Sequence, residues 1–188
     1  LIATFALFFT FLLTAVSFLR ERTQGTLERL LVTPVGRGDI LFGYALGFIP
    51  FAAVQSVVIL VFSVLALRIH YQGEVWQAAI MLLVLVIVAV NLGIFVSTFA
   101  KNEFQVVQFI PVVLAPQVFL SGIILPTEQM PSYFQIMSRV MPLKYGVDGL
   151  QSIMLEGEGL SNIAGELMVL AGFALILLIL AGLTLRRS

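Results

Sequence analysis

The chain has 188 residues, 60% of them apolar and only 11% charged, with ten Lys and Arg balanced by ten Asp and Glu. Soluble domains carry roughly 25% charged residues, and a chain of this size cannot hide so much apolar surface from water. With a mean hydropathy of +1.10, the composition excludes an ordinary soluble enzyme, a disordered tail and a basic nucleic-acid binder, and selects an integral membrane protein in a lipid bilayer.

A helix rises about 1.5 Å per residue, so crossing a hydrocarbon core of roughly 30 Å takes about 20 apolar residues. Five uncharged stretches meet or approach that length: 1–19, 40–67, 75–100, 104–127 and 167–185. They are continuously apolar rather than alternating in ten-residue segments, which implies helices and not a barrel. The expected fold is an all-α polytopic membrane helical bundle of five spans, forming a single transmembrane domain over 1–188. The chain begins with Leu at the edge of an apolar run, without the basic region or cleavage site of a signal peptide. It is therefore expected to be a fragment lacking at least one preceding span.

Orientation follows from Lys and Arg. Arg20, Arg22, Arg29, Arg37, Lys101, Arg186 and Arg187 fall on one side, and only Arg68, Arg139 and Lys144 on the other. The richer side is read as cytoplasmic, with the amino end outside.

Between the first two spans, residues 20–34 read as one short amphipathic helix. Leu27, Leu30 and Leu31 recur at helical spacing, Glu21, Arg22, Glu28 and Arg29 supply both signs of charge, and Pro34 stops the helix. Gly36-Arg37-Gly38-Asp39 then turns the chain, with Asp39 expected to cap the next span. Such a helix either anchors the loop at the lipid surface or docks a protein, and interleaved acids suit docking better than a lipid anchor.

The second to fourth spans hold neutral polar residues: Gln55 and Ser56, Asn91, Gln105 and Gln108, and Gln117. They either line a path for an amphiphilic substrate or hydrogen-bond helix to helix. Gln55, Asn91, Gln105 and Gln108 are the candidate path residues, with the last pair near the cytoplasmic end as an access surface. Pro50, Pro111 and Pro116 permit bends. Residues 128–162 are too apolar for a solvated loop. Tyr133, Ile136, Met137, Val140 and Met141 recur at helical spacing, interrupted by Pro131 and Pro142, so two short re-entrant helices are expected on the exterior side.

No ionisable residue lies deep in a span, which counts against proton-coupled transport. Lys101 and Lys144 are the only lysines, and neither sits in a G-x-x-x-x-G-K-[ST] phosphate loop. Ser97 and Ser121 lack a His partner in any span, so an intramembrane enzyme is rejected and no catalytic residue is assigned. His70 is the only His and Cys is absent, which leaves no metal site. 

The run Glu21-Arg22-Thr23-Gln24-Gly25-Thr26-Leu27-Glu28-Arg29-Leu30-Leu31-Val32-Thr33-Pro34-Val35 resembles the E-R-E-x-G-T-L-E-x-L-L-x-T-P stretch of ABC-2 type permeases, the membrane subunits of a class of ABC exporters. Leu120-Ser121-Gly122-Ile123-Ile124-Leu125-Pro126 with Met130-Pro131 is similar to that family's S-G-x-x-x-P…P segment. Met141-Pro142-Leu143-Lys144-Tyr145-Gly146-Val147-Asp148-Gly149-Leu150 is similar to its N-P-L-x-Y-x-x-D-x-L, with Met141 in place of Asn and Gln151 where a basic residue is common.

The resemblance implies a six-span permease, here without its first span, in the cytoplasmic membrane of a prokaryote. It implies that residues 20–34 are a coupling helix, with Glu21, Arg22, Gly25, Thr26, Leu27, Glu28, Arg29, Leu30 and Pro34 docking an ATP-binding cassette subunit. ATP and Mg would bind that partner, with no cofactor on this chain. Ser121, Gly122, Pro126, Pro142, Tyr145 and Asp148 would form an exterior gate. The leading expectation is a homodimer or heterodimer of permeases exporting a hydrophobic or amphiphilic substrate. The alternative is a scaffold or signalling subunit that recruits an ATPase and moves nothing.

Overall fold

The computed structural model describes residues 1–32, 34–66 and 71–185. Leu67, Arg68, His70, Arg186 and Arg187, which entered the span, charge and metal readings, lie outside the described residues. Eight α-helices and no strand occur among the described residues. Five of the helices are long and apolar enough to cross a membrane.

These are α1 (Ile2–Thr23), α3 (Arg37–Leu65), α4 (Val75–Ser97), α5 (Glu103–Leu120) and α8 (Ala164–Leu185). Between them lie the short α2 (Thr26–Leu31), α6 (Ser132–Ser138) and α7 (Pro142–Glu156). The five expected spans are thus present, with shifted ends. The fourth was expected to reach residue 127, but α5 stops at Leu120 because Gly122 adopts a φ of +88°, which side-chain-bearing residues rarely take. The prolines at 50, 111 and 116 stand inside continuous helices.

Helix α4 is the hub. It packs against α1, α3, α7 and α8, and most of its apolar length is buried. In lipid, helices gain little from hiding apolar surface, so association rests on close van der Waals approach at small residues. Gly93 supplies that approach. A Cβ there would stand 3.0 Å from the Phe11 carbonyl oxygen and 3.0 Å from the Thr14 Cβ, so α1 crosses α4 with no room for a side chain. The short α7 uses the same device lower on α4, with Gly146 against Leu85 and Gly149 against Met81.

By contrast α3, α5 and α8 leave most of their apolar length unburied. Phe42, Phe51, Val58 and Phe62 of α3, and Leu175, Ile176 and Ile179 of α8, form faces suited to lipid. Residues 71–74 fasten the α3–α4 connection to α7. The Gln72 N–H donates to the Met154 carbonyl at 2.9 Å, and Gly73 packs on Ile153.

The expected pair of helices in 128–162 is present as α6 and α7. Pro142 occupies the first turn of α7, where its missing N–H costs nothing. The next N–H, from Leu143, donates to Gln117 Oε1 of α5 at 3.3 Å. Gln117 is thereby a bond between helices.

Candidate functional site

The chemistry concentrates at the Arg-rich end, where α1 gives way to α2. Helix α1 runs past the apolar span to Thr23 because Arg20, Glu21 and Arg22 are good helix formers. It ends where Gly25 takes a φ of +76°. The stretch expected as one helix over 20–34 is therefore two, and the charged residues before Gly25 belong to α1.

Those three charges fan out to three different helices. Arg20 makes a two-pronged bridge to Glu103 at the start of α5, Nε to Oε1 at 2.6 Å and a terminal nitrogen to Oε2 at 3.2 Å. Glu21 Oε2 accepts a hydrogen bond from the Tyr44 hydroxyl of α3 at 3.3 Å. Arg22 donates to the Ser97 carbonyl at 2.7 Å, at the end of α4 where the helix dipole favours a cation. Glu21 and Arg22, expected on a docking face, are instead turned onto the bundle. Arg20 was not among the expected site residues, and its partner lies 83 positions away.

Past Gly25, α2 leaves the bundle, and Leu27 is the one buried side chain among its described residues. Leu27 is 4% exposed and belongs to the main apolar core. Thr26, Arg29, Leu30 and Pro34 are exposed, and Val32 is 88% exposed. Leu30 was expected with Leu27 and Leu31 on the fastening face, whereas it lies at the surface. The side chains of Glu28 and Leu31 lie outside the described residues. Asp39 does not cap α3. The helix starts at Arg37 with Gly36 as its cap, and Asp39 sits in the first turn, where its charge complements the helix dipole.

Between α1 and α3 a groove of about 830 Å³ runs from Leu30 and Val35, next to α2, to Gln55 in mid-span. One wall carries Thr10, Thr14 and Ser17 of α1, and the other Tyr44, Phe48 and Phe51 of α3. Gly43 and Gly47 give it depth, since a Cβ at either would meet nothing within 4 Å. Glu21 and Asp39 stand at its mouth. Gln55 lies at the inner end, donating to Thr10 Oγ1 at 3.3 Å.

The other expected path residues are elsewhere. Asn91 is buried on α4, donating to the Ala174 carbonyl of α8 at 3.0 Å, while its Oδ1 has no partner among the described residues. Gln105 fastens the start of α5: its N–H donates to Asn102 Oδ1 at 2.9 Å, and its Oε1 accepts from the Lys101 N–H at 2.8 Å. Gln108 is exposed on α5.

Asn91→Leu is expected to leave thermal stability unchanged or raise it. One interhelical hydrogen bond in a membrane contributes about 0.6 kcal/mol on average, and the variant also removes an unpartnered acceptor. A thermal melt in detergent checks this, and a fall of more than about 2 kcal/mol would contradict it.

At the opposite end, the expected gate residues lie in the turn after α5 and on α7. Ser121 is buried and donates to the Val118 carbonyl at 2.8 Å, and Gly122 makes the turn. Pro126 is exposed before a short 3-10 turn (Thr127–Gln129). Pro142 is buried at the start of α7. The Tyr145 hydroxyl donates to the Arg139 carbonyl at 2.9 Å, and Asp148 pairs with Lys144 at 2.6 Å. Among the described residues no cluster of His, Cys, Asp and Glu fit to hold a metal occurs.

Sequence comparison agrees with this architecture. Residues 1–155 match the family of the ABC-2 type transporter. ABC transporter G family member 20 of Dictyostelium discoideum is 27% identical over 178 residues, 94% of this chain and 24% of the relative. The probable multidrug ABC transporter permease YbhR of Escherichia coli K12 is 27% identical over 156 residues, 83% of this chain and 42% of the relative. Nodulation protein J of Rhizobium meliloti is 29% identical over 175 residues, 91% of this chain and 64% of the relative. The chain thus spans less than half the length of the first two.

Proposed function

Because this chain belongs to the ABC-2 type transporter family, we propose that it is the membrane permease part of an ATP-driven exporter, worked by a separate ATPase subunit. The observation that carries the reading is α2. It is a short helix outside the spans, with Leu27 buried and Thr26, Arg29 and Leu30 exposed. The name of the E. coli relative, a multidrug permease, supports the same activity.

In this reading the Arg-rich end faces the cytoplasm of a prokaryotic cell, and two copies or two related chains form the transporter. Each α2 docks one ATP-binding cassette subunit, which holds ATP and Mg. Closure of the ATPase pair displaces α2, and the three contacts of Arg20, Glu21 and Arg22 carry that displacement to α5, α3 and α4. Ser121, Gly122, Pro126, Pro142, Tyr145 and Asp148 close the far side. Apolar walls suit a hydrophobic or amphiphilic cargo.

Reversing two charges, Glu28→Lys with Arg29→Glu, is expected to abolish substrate stimulation of the partner's ATP hydrolysis while membrane insertion is retained. Opposed charges across an interface set register, and their reversal costs several kcal/mol. Undiminished stimulation in reconstituted complexes would contradict docking through α2. Inverted vesicles that take up no substrate although the ATPase is bound would favour the scaffold reading.

A further inference from the structure

We propose that the groove between α1 and α3 is a binding site for an amphiphilic organic cation, with its apolar body between the helices and its charged head against Glu21 and Asp39. The proposal rests on the exporter reading for its role, since it names the class of cargo, but the site itself is argued from geometry. At about 830 Å³ the groove lies within the roughly 300–1,000 Å³ of pockets that hold drug-sized ligands. It opens sideways, because Leu13 and Phe51 on its rim are strongly exposed, so an occupant dissolved in the membrane reaches it without crossing water.

Two features select a cation, and a third offers the occupant a hydrogen bond. First, neither Glu21 nor Asp39 has an ion-pair partner among the described residues. Arg20 and Arg22, the sequence neighbours of Glu21, are turned away to Glu103 and to the Ser97 carbonyl. A carboxylate at the edge of a low-dielectric groove gains most from a counter-charge. Second, the rings of Tyr44 and Phe48 lie side by side, centroids 6.3 Å apart and tilted by 23°, offering π faces that attract cations within about 6 Å. Third, Thr14 is only 3% exposed, lines the groove, and makes no side-chain hydrogen bond among the described residues. Its hydroxyl opens on the groove, free to hydrogen-bond an occupant.

The groove also touches α2 through Leu30. Occupancy is therefore felt at the helix proposed to meet the ATPase.

The test uses two ions of nearly equal shape and opposite charge, tetraphenylphosphonium and tetraphenylborate, in equilibrium binding to the full-length polypeptide in lipid nanodiscs. The phosphonium is expected to bind and the borate not. Glu21→Gln with Asp39→Asn should weaken phosphonium binding about tenfold or more. Gly47→Leu should abolish it, because the added side chain enters free space in the groove. Equal binding of both ions, or phosphonium binding indifferent to all these changes, overturns the proposal. So does a Gly47→Leu protein that fails to fold, which would show the groove filled by another helix in the full-length polypeptide. The two readings fail separately. Binding without ATP-driven export leaves the site and removes the exporter, whereas export of other compounds without phosphonium binding removes the site alone.

Discussion

Gly93→Leu is expected to leave no folded protein in the membrane fraction, and Gly93→Ala to lower the unfolding midpoint visibly. Two of the atoms that crowd this position, the Phe11 carbonyl oxygen at 3.0 Å and the Ala15 nitrogen at 3.1 Å, belong to the α1 backbone and cannot rotate aside. A methyl group asks α1 to retreat by a few tenths of an ångström. A Leu asks for a separation that the rest of the crossing cannot follow, because Leu7, Phe11, Ala15 and Phe18 are buried along α1 on both sides of it. Overpacking of a tight core costs about 1–3 kcal/mol where side chains give way, and more where backbone must move. The same retreat draws Arg22 from the Ser97 carbonyl, four residues along α4 from Gly93. Size-exclusion profiles and thermal melts in detergent check the prediction, and a monodisperse Gly93→Leu protein with the parent midpoint would refute the crossing geometry.

The second large effect is functional. On the proposed exporter function, Leu27→Asp is expected to abolish coupled transport while the five long helices stay assembled. Burying a Leu contributes about 1.5–3 kcal/mol, and an Asp in that pocket adds a desolvation cost, so the attached state of α2 loses at least about a hundredfold in population. The helix is six residues long, too short to be stable without packing against the bundle. Trypsin should then cut faster after Arg29, at an unchanged melting midpoint, with ATP-driven uptake reduced to background. Parent rates of both cleavage and uptake would show that Leu27 does not hold α2 to the bundle.

Much of this architecture was open to reading from residues alone, for a physical reason. Apolar runs of 19 residues or more, such as 1–19 and 75–100, leave the backbone no choice but a spanning helix. Pro131 and Pro142 likewise punctuate the stretch that became α6 and α7. Ends were harder. Glycine in the left-handed region decides where α1 and α5 stop, and nothing local distinguishes Gly25 and Gly122 from the helical Gly43, Gly47 and Gly93.

The candidate site was legible only in part. Glu21, Arg22, Glu28 and Arg29 are adjacent in sequence and looked like one face. The break at Gly25 splits them, and the first two are claimed by Tyr44 and Ser97 from other helices. Such long-range partners leave no trace in periodicity. The groove did leave one. Thr10, Thr14 and Ser17 fall at i, i+4 and i+7 along a span whose one other hydroxyl is Thr4, a stripe that lines the groove facing α3. Among the neutral amides, Gln55 lies on the groove while Gln105 and Gln117 serve backbone N–H groups. A glutamine in a span does not announce which role it has.

The fan of contacts at the end of α1 also bears on biogenesis. As the chain emerges, Glu21 meets Tyr44 after only 23 further residues, Arg22 waits for Ser97 at a distance of 75, and Arg20 for Glu103 at 83. The order in which these partners are made is therefore built into the chain. A nascent protein halted between α3 and α4 carries two unsatisfied arginines beside a finished α1–α3 hairpin. The last of the three locks closes only when α5 has begun, so α1 stays adjustable until most of the bundle exists.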